Sequence, residues 1–280
     1  MLQLGIMHTW KHDCGLAAVK KIRWNNMAVL SAIFLVALAA RLLCMILEPL
    51  LQRDAALYLT LTERWHETGD YAETIVTGII EPPFPLFTIK KMMDWGIPVE
   101  IAGRSIALFL GSMIPVIGYC ISCKVFKDAL ISGISTLLFI LHPALVSYSV
   151  QPLRESFYLF FWGLTVMEAI NGIVYGRYKD WMLCGVFLAF GFYCRYESLE
   201  LLAFCPMVVC YMVFKNKLRI RKAMMFLFVF FFSMAATGVL LLNITDFDLS
   251  FITKISTYSD RMIEQTNVRE FIQIDTENDE

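Results

Sequence analysis

The sequence predicts an all-α integral membrane protein with about seven transmembrane helices, on the evidence of its composition and its apolar pattern. Of its 280 residues, 58% are hydrophobic and 18% are charged, whereas globular domains contain about 25% charged residues. A soluble domain of this length has no interior large enough to bury so much apolar sequence. The composition therefore excludes a cytosolic enzyme, a disordered tail and a nucleic-acid-binding protein.

Seven apolar stretches supply the predicted spans. Most of them contain 19 to 21 residues, close to the roughly 20 residues with which an α-helix crosses a bilayer. They are residues 27–47, 101–121, 129–147, 156–174, 181–194, 199–214 and 223–243. The fifth and sixth, taken as one helix, would extend about 50 Å, which is too long for one crossing. We therefore predict two short helices joined at Arg195-Tyr196-Glu197.

The distribution of charge orients these spans. With the N-terminus inside and the C-terminus outside, the inner segments carry 13 Lys/Arg and 3 acids, and the outer segments carry 9 Lys/Arg and 21 acids. Lysine and arginine favour the cytoplasmic side of a membrane protein. The expected organisation is a cytoplasmic segment 1–26, a transmembrane module 27–243 with a long outer loop 48–100, and an acidic outer tail 244–280, in the plasma or inner membrane.

The first half of the outer loop predicts an amphipathic helix over residues 55–66. Its apolar residues recur at helical spacing, the helix is expected to end at Gly69, and Asp54 lies at its N-terminal end on the apolar face, in line with Tyr58. There Asp54 either caps the helix or meets a lipid-borne substrate. No Glu or Gln follows three residues later to complete a capping box.

The second half of the loop contains prolines and then lysines. Pro82 and Pro83 predict extended backbone, Pro85 suits a first helical turn, and residues 88–95 follow. Lys90 and Lys91 either contact a phosphate or extend toward lipid headgroups. No metal ligands are assigned, because the loop has acids but no DxD spacing. Whether the protein uses a divalent metal stays open.

Three polar clusters interrupt the apolar sequence at predicted outer span ends: His142-Pro143, Arg154-Glu155 and Arg195-Tyr196-Glu197. Ionisable groups at such depth need partners, so each cluster is either functional or a salt bridge that closes the bundle. Arg41 is expected to face the same outer cavity. Glu168 lies in the inner half of a span, with no partner evident from the sequence.

The ordered outer motifs resemble those of GT-C superfamily glycosyltransferases. Arg53-Asp54 with Tyr58, then Gly69-Asp70-Tyr71, then Pro82-Pro83-Phe84-Pro85, are similar to the first outer loop of the dolichyl-phosphate-mannose–protein mannosyltransferase-like family and its bacterial aminoarabinose-transferase relatives. The resemblance covers roughly residues 27–215. It implies a polyprenyl-phosphate-linked sugar donor and a lipid, glycan or protein acceptor at the outer face.

The resemblance also implies roles for individual residues. Asp54 would act as general base on the acceptor, and Arg195 and Arg154, with Lys90 behind them, would hold the donor phosphate. Residues implied to support them are Arg53, Tyr58, Glu81, His142, Glu155 and Glu197. The chain departs from the family pattern at Ala55, where relatives often have an acid or a base, and at Glu81, where aminoarabinose transferases have lysine.

Three functions stay open at this stage. The first is a membrane glycosyltransferase, the second a transporter or flippase for a lipid-linked sugar, and the third a non-catalytic membrane module. Many relatives are longer, so a fragment or a reduced paralogue is one expectation. The sequence shows no inverted repeat, and most of its charge lies at the outer span ends, which disfavours a transporter.

Overall fold

The computed structural model describes the backbone of residues 23–71 and 82–245 and the side chains of residues 27–71 and 82–245. Within these ranges the chain forms α-helices and one short 3₁₀ turn, and no strand. The outer tail and Glu81 lie outside the described residues. The helices are α1 Arg23–Leu47, α2 Arg53–Thr68, α3 Pro83–Asp94, α4 Val99–Phe126, α5 Ala129–Leu141, α6 Pro143–Val150, α7 Arg154–Tyr175, α8 Tyr178–Cys194, α9 Leu199–Phe214 and α10 Ile220–Ile244.

The predicted all-α membrane class is confirmed. Five segments in the described ranges are long and apolar enough to cross a membrane: Met27–Leu47, Val99–Phe126, Arg154–Tyr175, Tyr196–Phe214 and Ile220–Ile244. The pair α5 and α6 counts as a sixth if it forms one bent span. The remaining predicted span, the fifth, is α8, a helix of 17 residues, which is short for a full crossing.

The third predicted span is broken. Residues 129–147 were expected to form one helix, but α5 ends at Leu141 and α6 begins at Pro143 with a bend of 52°. Pro143 has no N–H to continue the hydrogen-bond ladder, and its ring clashes with the preceding turn. The break therefore follows from the proline, and His142 lies at the bend in extended conformation, with φ −63° and ψ 117°.

The division of residues 181–214 into two helices is observed as predicted. Helix α8 ends at Cys194, Arg195 is extended with φ −162° and ψ 129°, and a 3₁₀ turn over Tyr196–Ser198 leads into α9. The chain thus reverses at Arg195, and the Arg195 side chain emerges at the junction of two helices.

The bundle core joins helices α7 to α10. Trp181 of α8 is 1% exposed and stacks on Phe226 of α10 with ring centroids 5.7 Å apart. Gly185 brings these two helices into close contact, because a Cβ there would overlap the Phe230 carbonyl and the Ser233 hydroxyl. Small residues at such crossings permit the backbone approach on which helix association in lipid depends.

A polar chain between α4 and α7 accounts for Glu168. Lys124 Nζ of α4 donates to Asn171 Oδ1 at 2.7 Å, and Asn171 Nδ2 donates to Glu168 Oε2 at 3.1 Å. Glu168 and Asn171 are each 8% exposed. The carboxylate that the sequence left without a partner is therefore hydrogen-bonded, and the chain connects α4 to α7.

The outer loop packs on the bundle through its two helices. Helix α2 ends at Gly69, as predicted, in left-handed conformation with φ 74°. Helix α3 begins at Pro83, earlier than the predicted 88–95. Phe84 of α3 inserts between α7 and α8, with its ring centroid 5.9 Å from that of Phe161 and 5.1 Å from that of Phe190.

The start of the loop is clamped by two buried polar side chains. Arg104 of α4 donates from Nη2 to the Pro49 carbonyl at 2.7 Å and from Nη1 to the Val150 carbonyl at 3.4 Å. Gln151 donates from Nε2 to the Leu50 carbonyl at 3.0 Å. The end of α1 is thereby fixed to the junction between α6 and α7, immediately before α2 begins.

Arg41 does not face an open outer cavity, contrary to expectation. Its side chain is 0% exposed, and Nη1 donates to the Ala37 carbonyl of its own helix at 3.0 Å. Nε and Nη2 have no hydrogen-bond partner among the residues that the structure describes. A buried cation of this kind destabilises the fold, because its desolvation is only partly offset.

The close contact of α8 with α10 predicts how one added methyl group at Gly185 changes the stability of the bundle. Gly185→Ala is expected to destabilise the bundle by about 1–3 kcal/mol, since the helices must separate or distort. The measurement is the apparent Tm of the purified protein in detergent. Gly133→Ala is the matched control: no atom lies within 4 Å of its added Cβ, and alanine favours the helix. Equal Tm for both variants would contradict the close crossing.

Replacing Arg41 is expected to change the apparent Tm in the opposite direction. Arg41→Met is expected to raise the apparent Tm by removing an incompletely paired buried charge, a change worth about 1–4 kcal/mol in comparable sites. Arg104→Met is expected to lower the apparent Tm, because Arg104 loses hydrogen bonds to two separate segments. A fall in Tm for both variants would show that Arg41 stabilises the fold.

Candidate active site

Four predicted residues form one ion network where α7 begins and α8 ends. Arg195 Nε lies 2.9 Å from Glu197 Oε1, and Arg195 Nη1 donates to Glu155 Oε1 at 3.4 Å. Arg154 Nε lies 3.9 Å from the same Glu155 oxygen. Two sequence clusters 40 residues apart therefore meet around Glu155, which lies between the two guanidinium groups.

The backbone explains this meeting. Arg154 and Glu155 open α7, and Arg195 interrupts the chain between α8 and α9, so the three side chains emerge at neighbouring helix ends. Desolvation acts to lower the pKa of Arg195, but the hydrogen bond to Glu197 and the charges of Glu197 and Glu155 outweigh it and raise that pKa above its ordinary value. Arg195 is therefore cationic at any physiological pH.

A second group of side chains, which the sequence did not single out, lies beside this network. Glu200 Oε1 accepts hydrogen bonds from Tyr158 Oη at 3.0 Å and from Trp162 Nε1 at 2.9 Å. The Arg195 guanidinium lies over the Tyr158 ring, 5.6 Å from its centroid. The available signal was an acid in the first turn of an apolar helix, with Tyr158 and Trp162 one turn apart on α7.

Asp54 is exposed near the N-terminus of α2. The N-cap of this helix is Gln52, so the capping interpretation of Asp54 is wrong. Its carboxylate makes no hydrogen bond or ion pair to another residue in the described part of the chain. One turn later, Tyr58 is 7% exposed and forms a cluster with Ala55 and Leu153. Since Leu153 directly precedes Arg154, this cluster brings the first turns of α2 to the start of α7.

Lys90 belongs to a separate ion cluster at the C-terminal end of α3. Lys90 Nζ lies 3.4 Å from Asp94 Oδ1, Lys91 Nζ lies 3.2 Å from Asp94 Oδ2, and His66 Nδ1 lies 3.1 Å from Asp94 Oδ1. Desolvation acts to raise the pKa of Asp94, but the hydrogen bonds and charges of the two lysines outweigh it and lower that pKa. None of these contacts joins Lys90 to the arginines.

The remaining predicted residues lie outside the ion network. Arg53 is exposed at the first position of α2. His142 is exposed at the bend between α5 and α6, beside a cleft of about 390 Å³ lined by Ser135, Leu138, Phe139 and Leu145. Over residues 27–71 and 82–245, no group of three or more His, Cys, Asp or Glu is arranged to hold a metal ion.

The arrangement has two chemical capabilities. Paired guanidinium groups bind a phosphate through bidentate, charge-assisted hydrogen bonds. An exposed carboxylate accepts a proton from a hydroxyl group. Both lie near the start of α7, where the first turns of α2 pack on Leu153.

Comparison with known proteins identifies the family. The sequence model described as dolichyl-phosphate-mannose-protein mannosyltransferase matches residues 81–241, more than half of the chain. The matched range includes the ion network and Glu200, and Asp54 precedes it. Comparisons with curated proteins and with solved structures give no match. The chain belongs to the dolichyl-phosphate-mannose-protein mannosyltransferase family, whose members are membrane glycosyltransferases of the GT-C type.

Proposed function

We propose that this protein transfers a sugar from a polyprenyl phosphate to an acceptor hydroxyl at the outer face of the cell membrane. The observation that carries the proposal is the pairing of Arg154 and Arg195 around Glu155 at the outer helix ends, within the range that matches the family. The charge distribution of the loops supports the orientation, with the N-terminus in the cytoplasm. The acceptor is a lipid, a glycan or a protein.

In the proposed reaction, the acceptor oxygen attacks the anomeric carbon of the sugar. The bond from that carbon to the phosphate oxygen breaks, and the polyprenyl phosphate leaves with the electron pair. Arg154 and Arg195 hold the phosphate and stabilise the negative charge that develops on it. The carboxylate of Asp54 takes the proton of the acceptor hydroxyl as general base.

Phosphate binding requires one of the two acids beside Arg195 to move aside. Glu197 lies 2.9 Å from Arg195 Nε, and its side chain is 56% exposed, whereas the Glu155 side chain is 19% exposed. The exposed Glu197 is therefore the acid that moves aside when the phosphate binds, and Glu155 stays to hold the two guanidinium groups. Lys90 is secondary, because Asp94 already offsets its charge.

The other supporting residues are proposed to position the reacting groups or to add charge beside them. Tyr58 anchors the first turns of α2 against Leu153 and so keeps Asp54 beside the start of α7. Arg53 adds positive charge next to Asp54. His142 and Glu81 are retained as supporting candidates on the family resemblance alone. His142 lies at the bend between α5 and α6, and Glu81 lies outside the described residues.

Asp54→Asn tests the general base. The rate of transfer is expected to fall by about 10²–10⁴-fold, because the amide cannot accept the proton. The measurement is incorporation of radiolabel from polyprenyl phosphate mannose into lipid, glycan and protein fractions, with membrane insertion checked by immunoblot. The matched control is Glu63→Gln, which removes an exposed charge on the same helix and should leave transfer unchanged.

Two results would contradict this assignment. Transfer at the wild-type rate by Asp54→Asn would exclude Asp54 as the base. Movement of the lipid-linked sugar across vesicles by the wild-type protein, without transfer to any acceptor, would favour a flippase over an enzyme.

Arg195 and Lys90 are expected to contribute differently to the KM for the donor lipid. Arg195→Gln is expected to raise the KM for the donor lipid by about 10- to 100-fold, the range for losing hydrogen bonds to a charged group. Lys90→Gln should change KM by much less, because its partner is Asp94. Donor titrations in the radiolabel assay measure both values. A larger effect from Lys90→Gln would move the phosphate site to α3.

A further inference from the structure

Glu200 links α9 to α7 through one of its two carboxylate oxygens. Oε1 accepts both the Tyr158 hydroxyl at 3.0 Å and the Trp162 indole N–H at 2.9 Å. The second oxygen, Oε2, has no partner among the residues that the structure describes. The Glu200 side chain is exposed, and both aromatic partners are half-buried.

The position of Glu200 makes a purely structural role a poor explanation. The residue lies in the first turn of α9, within the apolar segment Tyr196–Phe214 that is long enough to cross a membrane. A carboxylate close to hydrocarbon is costly, and such groups mark substrate sites unless their charge is paired. Two neutral donors fix the orientation of this carboxylate but do not neutralise its charge.

Tyr158 connects Glu200 to the arginine network. Its hydroxyl donates to Glu200, and its ring carries the Arg195 guanidinium 5.6 Å from the centroid. An anion bound at Arg195 would thus lie near the Tyr158 ring, and a polar group bound at Glu200 would lie near the hydroxyl end of the same side chain. In a sugar phosphate, the phosphate and the hydroxyl groups are separated by no more than one sugar ring.

We infer that Glu200, Tyr158 and Trp162 form the subsite for the donor sugar, with Glu200 Oε2 accepting hydrogen bonds from its hydroxyl groups. This inference rests on the proposed function, because it assumes that Arg195 holds the donor phosphate. The aromatic rings offer apolar surface to the C–H groups of the sugar, and the carboxylate selects hydroxyls. The ligand class is a polyprenyl-phosphate-linked sugar with free hydroxyl groups, recognised separately from its lipid.

The test compares the affinity of the full chain for two probes, polyprenyl phosphate mannose and polyprenyl phosphate without sugar. Glu200→Gln should weaken binding of the mannosylated lipid by about 10-fold, because a neutral acceptor forms weaker hydrogen bonds than a carboxylate. Binding of the bare lipid should change by less than about 2-fold. Glu67→Gln, an exposed acid on α2, is the matched control and should change neither affinity.

Tyr158→Phe provides a second variant that does not depend on the first. It removes the hydroxyl donor that orients Glu200 and keeps the ring under Arg195, so a smaller loss confined to the mannosylated lipid is expected. If Glu200→Gln lowers the apparent Tm and binds neither lipid, the variant is misfolded, and the affinities of Tyr158→Phe for the two lipids then test the sugar subsite. A variant that keeps wild-type affinity for the mannosylated lipid, or weakens both lipids equally, would overturn the sugar subsite.

A different result of the same binding experiment would overturn the proposed function. A wild-type protein that binds neither lipid would overturn the donor assignment itself, together with the subsite. A wild-type protein that binds both lipids, with Glu200→Gln and Tyr158→Phe unable to distinguish them, would overturn only the subsite.

Discussion

The position of the loop 48–100 on the helix bundle depends on the buried clamp that Arg104 and Gln151 form with the backbone. Arg104 reaches the Pro49 and Val150 carbonyls, and Gln151 reaches the Leu50 carbonyl. These bonds fix the start of the outer loop to the junction that leads into α7. Because α2 begins four residues after Pro49 and α7 begins four residues after Val150, the clamp determines how Asp54 lies relative to Arg154. Together with the packing of Tyr58 on Leu153, it joins the segments that carry the proposed general base and the proposed phosphate-binding arginines.

The arginine network also illustrates how charge would be compensated at the proposed phosphate site when no ligand is bound. Arg154 and Arg195 are cations at the ends of apolar helices, where unpaired charge is costly. Glu155 and Glu197 compensate that charge, one from the first turn of α7 and the other from the 3₁₀ turn after Arg195. Glu155 is the more buried of the two acids and Glu197 the more exposed, which is why we propose that only Glu197 yields to a phosphate. The contacts of Glu155 would then hold both guanidinium groups in place for that phosphate.

Much of the fold was predictable because local signals determine it. The length of residues 181–214 required a break, and the break occurs at Arg195; Gly69 ends α2 through a positive φ that glycine adopts freely. Pro143 was an available signal for the bend that the prediction missed. The candidate site was only partly predictable. The sequence indicated Arg154 and Arg195 separately, but their meeting at Glu155 depends on how α7 and α8 pack, and the partners of Glu200 lie about 40 residues away on another helix.

The shortness of α8 has a consequence for the surrounding lipid. With 17 residues, the helix is about 25 Å long, several Å less than a typical hydrocarbon core of about 30 Å. Such hydrophobic mismatch is relieved by local thinning of the bilayer. In the proposed orientation, Arg195 at the C-terminal end of α8 would then lie below the average plane of the outer headgroups, and the lipid surface would dip toward it. A phosphate carried by a lipid would meet the arginines at the bottom of this depression, with its hydrocarbon chain still in the membrane.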